Sequence, residues 1–85
     1  MRIDRLLCYL RFVRTRSQAQ KLIEQGHIRC NAERVTRHSH AVQCADVLTL
    51  PLGNSVKIVE ILALPERRGP AADAQACYRC LDPGA

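Results

Sequence analysis

Eighty-five residues with a hydrophobic share of 47% and a net charge of +5 describe one small folded domain, too short for a second core and too apolar for wholesale disorder. The charge is uneven: residues 1–37 hold nine Arg or Lys against three acids, a balance of +6, whereas residues 38–85 hold four against five, a balance of −1. A basic half joined to a near-neutral half points to one binding face for a polyanion, with solubility as the bland alternative.

Residues 2–13 have a helical period, with Ile3, Leu6, Leu7, Leu10 and Val13 on one face. A second helix is expected over 16–25. Thr15 is its N-cap, Gln18 completes a capping box, and Ala19, Leu22 and Ile23 form its narrow apolar stripe. Gly26 stands where a left-handed residue ends a helix. Two helices so closely linked should pack as a hairpin or at a wide angle.

Ile28 and Cys30 alternate with Arg29 as in a strand, Asn31-Ala32 reads as a tight turn, and Arg34-Val35-Thr36 continues beyond it. The Arg37–His40 stretch reads as a loop, Val42 and Val47–Leu50 as a strand, and Pro51–Ser55 as a turn. A strand is expected from Val56 to Leu64, closed by Pro65. In the tail, Pro70 is suited to a first helical turn, with Ala71, Ala74, Tyr78 and Leu81 as the stripe of a C-terminal helix and Asp82–Ala85 fraying.

The apolar run Leu6–Leu10 is too short for a membrane span, and no stretch reads as a secretory signal. Five irregularly spaced cysteines do not make a disulfide framework, so a cytoplasmic location is expected. Cys77-x-x-Cys80 lacks the second ligand pair a zinc site requires, and His38-x-His40 offers only two ligands. No metal, cofactor or small-molecule substrate is expected. No nucleophile motif or glycine-rich phosphate loop is present, so the chain does not read as an enzyme.

The pattern Arg2-x-Asp4-x-x-Leu7, Arg11-x-x-Arg14-Thr-Arg-Ser, Ala19-x-x-Leu22-Ile23-x-x-Gly26-x-Ile28-x-x-Asn31 resembles the S4-type RNA-binding domain. Val35-x-Arg37-x-Ser39-x-x-Val42-x-x-x-Asp46 continues it, and Arg67-Arg-Gly-Pro-Ala71 with Ala74 and Tyr78 looks like the tail of the family's ribosome-associated heat-shock branch. The resemblance implies an α+β fold: two N-terminal helices on a small bent antiparallel sheet, with a C-terminal helical tail. It divides the chain into a domain over 1–64 and a partly helical tail over 65–85. It also implies non-catalytic binding of structured RNA, either ribosomal RNA or a ribosome-bound tRNA complex, with a role in ribosome rescue or the heat-shock response; the chain itself is expected to be a monomer. A protein-interaction module, or the detached RNA-binding subunit of an RNA-modifying enzyme, is the alternative. Departures from the pattern are Ala32 and Ala45 at positions usually glycine, Leu6 and Cys8 at positions often aromatic, and no long basic extension among the 85 residues.

The residues expected on RNA are Arg2, Arg11, Arg14, Thr15, Arg16, Ser17, Lys21, Arg29, Asn31, Arg34 and Arg37. Arg14 and Arg16 flank a helix N-terminus, where guanidinium forks and backbone N–H groups both suit phosphate. Asp4 either orients Arg11 or Arg14 or complements the first helix's dipole. Ser17 and Lys21 lie one turn apart and can reach a backbone, or Lys21 can pair with Glu24 or Gln25. Asn31 either reads a base edge or ribose hydroxyl or satisfies backbone. Phe12 covers the tail or stacks on a base; with so few aromatics, a mode driven by shape and phosphate fits better.

Overall fold

In the computed structural model, residues 1–81 are described. The chain order is α1 (Ile3–Tyr9), α2 (Arg16–Glu24), β1 (Arg29–Cys30), β2 (Glu33–Arg34), β3 (Val47–Leu52), β4 (Ser55–Ile61), α3 (Ala71–Gln75) and β5 (Tyr78–Cys80). The strands form one antiparallel sheet in the order β2-β1-β3-β4-β5. Residues alternating along β3 and β4 (Leu48, Leu50, Val59 and Ile61) face the helices and are buried with Ile3, Leu6, Leu7, Leu10, Ala19 and Ile23. That single aliphatic layer is the core, and it holds the N-terminus of α2 outward.

α1 stops four residues earlier than its apolar period suggests. Arg11 adopts φ +64°; its N–H bonds to Cys8 O at 3.1 Å, and Phe12 N–H bonds to Leu7 O at 3.0 Å. This is the paired closure of a Schellman motif, with arginine in the left-handed position. Leu10 and Val13 remain buried after the helix has ended, so the period identified core residues and not helix length. α2 follows its expected bounds closely: Thr15 Oγ1 accepts from Gln18 N–H at 3.2 Å, and Gly26 closes it at φ +78°. The capping box is displaced by one residue, because Gln18 Oε1 accepts from Arg14 N–H (2.8 Å).

The expected fold class requires correction. The sheet has five strands, and the tail supplies the fifth. Only Ala71–Gln75 is helical; Tyr78 and Arg79, assigned from the sequence to a helical tail, pair with Ile61 and Glu60 of β4. The reason is an open sheet edge. Once β4 is placed, its outer N–H and C=O groups offer Tyr78–Cys80 a ladder that outweighs a short alanine-rich helix. β4 also ends at Ile61, after which Leu62 and Ala63 N–H groups both donate to Cys77 O. β3 instead runs longer than expected, through Pro51 to Leu52, and turns at Gly53-Asn54 with Gly53 at φ +62°. Pro51 is tolerated there because β1 pairs with β3 only at Leu48 and Thr49, leaving its outer side without a ladder. The fraying expected of Asp82–Ala85 lies outside the described residues.

Candidate nucleic-acid interface

Asp4 ties the N-terminus of α1 to α2. Its carboxylate is fully buried and accepts from Arg2 Nε and Nη2 (3.2 and 3.0 Å), Arg5 N–H (2.7 Å), Gln20 Nε2 (3.2 Å) and Arg16 Nη2 (3.4 Å). Burial alone would raise its pKa, but the donors from Gln20, Arg2, the Arg5 backbone and Arg16 together hold it below the usual carboxylate value. Asp4 holds one edge of the Arg2 guanidinium and one Nη2 of Arg16, and both side chains remain about half exposed to solvent. Asp4 thus orients Arg2 and Arg16, rather than Arg11 or Arg14 as the sequence suggests. The turn that begins at Arg37 returns to this point: His40 O and His38 O accept from the N–H groups of Ile3 (2.9 Å) and Asp4 (3.3 Å), occupying helix-end donors that would otherwise be unpaired. His38 Nε2 also lies 3.3 Å from Glu24 Oε1.

A second set of cations surrounds the link between α1 and α2. Arg11 Nε donates to Gly69 O (2.8 Å) and Arg68 Nη1 donates to Arg14 O (3.3 Å). The tail therefore crosses this link and adds Arg68, which sequence reasoning left out of the site. The Arg67-Arg68 doublet was the available signal, but only folding shows which loop it covers. Lys21, on the exposed side of α2, joins Arg11, Arg14 and Arg68 around one groove.

A third pair lies on the β1–β2 hairpin, where Arg29 and Arg34 are directly opposed and both exposed. Like charges at opposed positions destabilise a hairpin unless an anion comes between them. Arg34 packs beside Gly26, at the far end of α2 from Arg14 and Arg16. The nine residues of α2 separate the two grips by about 13 Å of helix.

Asn31 serves the fold. At φ +53°, its Oδ1 accepts from Val47 N–H (2.9 Å) and its Nδ2 donates to Asp46 Oδ1 (3.0 Å). Asp46 Oδ2 accepts from Gln43 N–H (2.9 Å) and the Cys30 thiol (3.6 Å). Burial would raise the Asp46 pKa, but Gln43 N–H, Asn31, Cys30 and the nearby His40 outweigh it and the value is lowered. Burial first, then the Asp46 charge, pushes the Cys30 thiol up to about 11. This clamp ties the β1–β2 turn to the start of β3 and aims Arg29 and Arg34.

A family model for the S4 domain matches residues 1–48, covering α1, α2, the β1–β2 hairpin and the Asp46 clamp. The chain belongs to the S4 domain family. It is homologous to heat shock protein 15: the Escherichia coli K12 protein is 36% identical over 78 residues, covering 92% of this chain and 58% of that protein. The Haemophilus influenzae homolog is 37% identical over 79 residues, 93% of this chain and 60% of that one. The chain thus spans less than two thirds of the length of these curated relatives. The 2.3 Å trimeric structure of Vibrio cholerae heat shock protein 15 superposes with a TM-score of 0.89 at 32% identity, covering 94% of this chain and 80% of that chain.

Within this S4 domain, Arg2, Arg14, Thr15, Arg16, Ser17 and Lys21 lie on or beside the exposed side of α2. Thr15 has its hydroxyl engaged by the helix cap. Among the described residues, Lys21 has no ion pair with Glu24, which faces His38. Phe12 packs on the tail, its ring centroid 4.8 Å from that of Tyr78. Gln20 escaped the sequence reading because an amide at a wheel border gives no signal until Asp4 is placed under it. Among the described residues no cluster of three or more His, Cys, Asp or Glu is arranged to hold a metal, and no helix is long and apolar enough to cross a membrane.

Proposed function

We propose that this S4-family chain is a non-catalytic, cytoplasmic protein that binds folded RNA, either ribosomal RNA or a ribosome-bound tRNA complex, and acts in ribosome rescue or the heat-shock response. The observation that carries the reading is the Asp4 hub: one buried carboxylate pre-orients Arg2 and Arg16 beside the N-terminus of α2. Fixed guanidinium forks lose little conformational freedom on meeting phosphates. Arg14, Ser17 and Lys21 extend the grip along α2, and Arg29, Arg34 and Arg37 continue it from the hairpin and the following loop. Asn31 acts by holding that hairpin. Homology to heat shock protein 15 supports the ribosomal assignment.

With about five to six phosphates neutralised, log affinity falls against log salt with a slope of roughly −4 to −5. Arg14→Ala combined with Arg16→Ala weakens RNA binding strongly, reduces that slope by about 2, and leaves the circular dichroism spectrum unchanged. An unaltered salt slope in the double variant removes this site. At the level of the cell extract, tagged protein co-sediments with the large ribosomal subunit and is released by salt. An association that survives complete RNA digestion would instead favour a protein partner. The reading takes one copy as the binding unit. Because the Vibrio cholerae relative is trimeric, light scattering of the free protein is the accompanying measurement.

A further inference from the structure

Between the α1–α2 link, α2 and the β3–β4 hairpin lies a groove of about 520 Å³. That volume falls in the range of about 300–1,000 Å³ that small-molecule sites occupy. Its floor is aliphatic, made by Val13, Leu22, Pro51 and Leu52, and its rim carries Arg11, Arg14, Lys21 and Arg68. Among the described residues no carboxylate lines it. Four cations around an apolar floor repel one another in the free protein, and the arrangement is complementary to a ligand with an apolar body and an anionic group at its edge.

Two of the rim cations are positioned by the fold. Arg11 uses Nε on Gly69 O, and Arg68 uses Nη1 on Arg14 O, which leaves each guanidinium with four further N–H donors. Gln18 accepts from Arg14 N–H through Oε1, so its amide NH₂ is available to donate into the same groove. Phe12 also borders the groove but packs its ring on Tyr78. No aromatic face is therefore open to a ligand: the apolar seat is aliphatic, made by Leu22 and Leu52, and the guanidinium groups are left for an anion.

We infer that this groove takes a single unpaired nucleotide of the bound RNA, its base on Leu22 and Leu52 and its phosphate on Arg14 and Arg68. The inference rests on the RNA-binding reading above and deepens it: α2 presents Arg16 and Ser17 to the folded part of the RNA, and the groove on the same helix receives one extruded nucleotide. Selection of an unpaired nucleotide adds a preference that phosphate contacts alone do not supply.

The test compares the affinity of the full chain for an RNA hairpin with that for the same hairpin carrying a one-nucleotide bulge, prepared with each of the four bases, by fluorescence anisotropy. The bulged RNA binds about tenfold more tightly, the effect of seating one base. Leu52→Ser, which changes no charge, removes most of that advantage while leaving the paired hairpin's affinity as it was. Arg68→Ala, a surface change, removes it as well and serves should Leu52→Ser fail to fold. Equal affinities for both RNAs overturn the groove inference and leave the basic face of α2 standing; binding to neither RNA overturns both. As an independent readout, adenosine 5′-monophosphate shifts the methyl resonances of Leu22 and Leu52. The same shifts from inorganic phosphate alone, or from an acidic peptide but not the nucleotide, overturn the assignment.

Discussion

Ala32 and Ala45 hold φ +72° and +76°, a region where Cβ meets the neighbouring carbonyl at a cost of about 1–2 kcal/mol. Both flank the Asn31–Asp46 clamp, which supplies the hydrogen bonds that keep them there; Ala45 N–H also donates to Ile61 O (2.7 Å). Glycine at either position removes the clash but gives the unfolded chain more freedom, offsetting about 0.4–1 kcal/mol. Ala32→Gly and Ala45→Gly should therefore each stabilise the fold by about 0.5–1 kcal/mol. In urea this is a higher midpoint at constant m-value; an unchanged midpoint would mean that the clamp, not the residue, sets the energy of the turn. The sequence flagged these positions through the resemblance, and the tertiary bonds decide that the strain is accepted.

At the scale of elements, Asp4 joins α1 to α2. Replacing it with Asn puts an amide among Arg2, Arg16 and Gln20 donors and should destabilise the protein by about 2–3 kcal/mol. The pH dependence has a definite sign. Asp4 and Asp46 both have folded pKa values below their ordinary ones, so the unfolded chain takes up their protons first as pH falls. Their contribution is complete above the unfolded carboxyl range and is lost as pH falls through the folded values, giving a stability that declines from roughly pH 4 downward. Asp4→Asn flattens that decline. Denaturant midpoints measured from pH 7 to pH 2 check it, and an equal acid slope in the variant would show that other carboxylates govern the transition. The hub was only half legible beforehand: Asp4 stood out as an acid among arginines, but its partners depend on how the two helices cross.

Across the whole molecule, the tail closes the sheet and supplies a rim of the groove. β5 pairs with β4, Tyr78 packs on Phe12, and Arg68 bonds to the α1–α2 link. Burial raises the Tyr78 hydroxyl pKa, with the nearby Cys80 adding to it. Tyr78→Ala should cost about 2–3 kcal/mol, somewhat less than a fully buried aromatic, and should also weaken binding of the bulged RNA through displacement of Arg68. Thermal unfolding and anisotropy on the same sample check both parts. A loss of stability with the bulge preference intact would separate the tail's structural role from the groove.

The sequence by itself determined α2, the buried face of α1 and the sign of the charge on the N-terminal half. Apolar residues three and four apart named the buried face of α1, Thr15 and Gly26 bounded α2, and nine cations in the first 37 residues announced a polyanion partner. These signals are legible because each depends on neighbours within one or two turns of chain. Tertiary structure alone decided the length of α1, the conversion of Tyr78–Cys80 from helix to strand, the partners of Asp4, and the convergence of Arg68 with Arg11 and Arg14 across more than fifty residues. Each of those depends on an open sheet edge, a buried charge or a crossing loop, and such demands exist only once distant parts of the chain have packed.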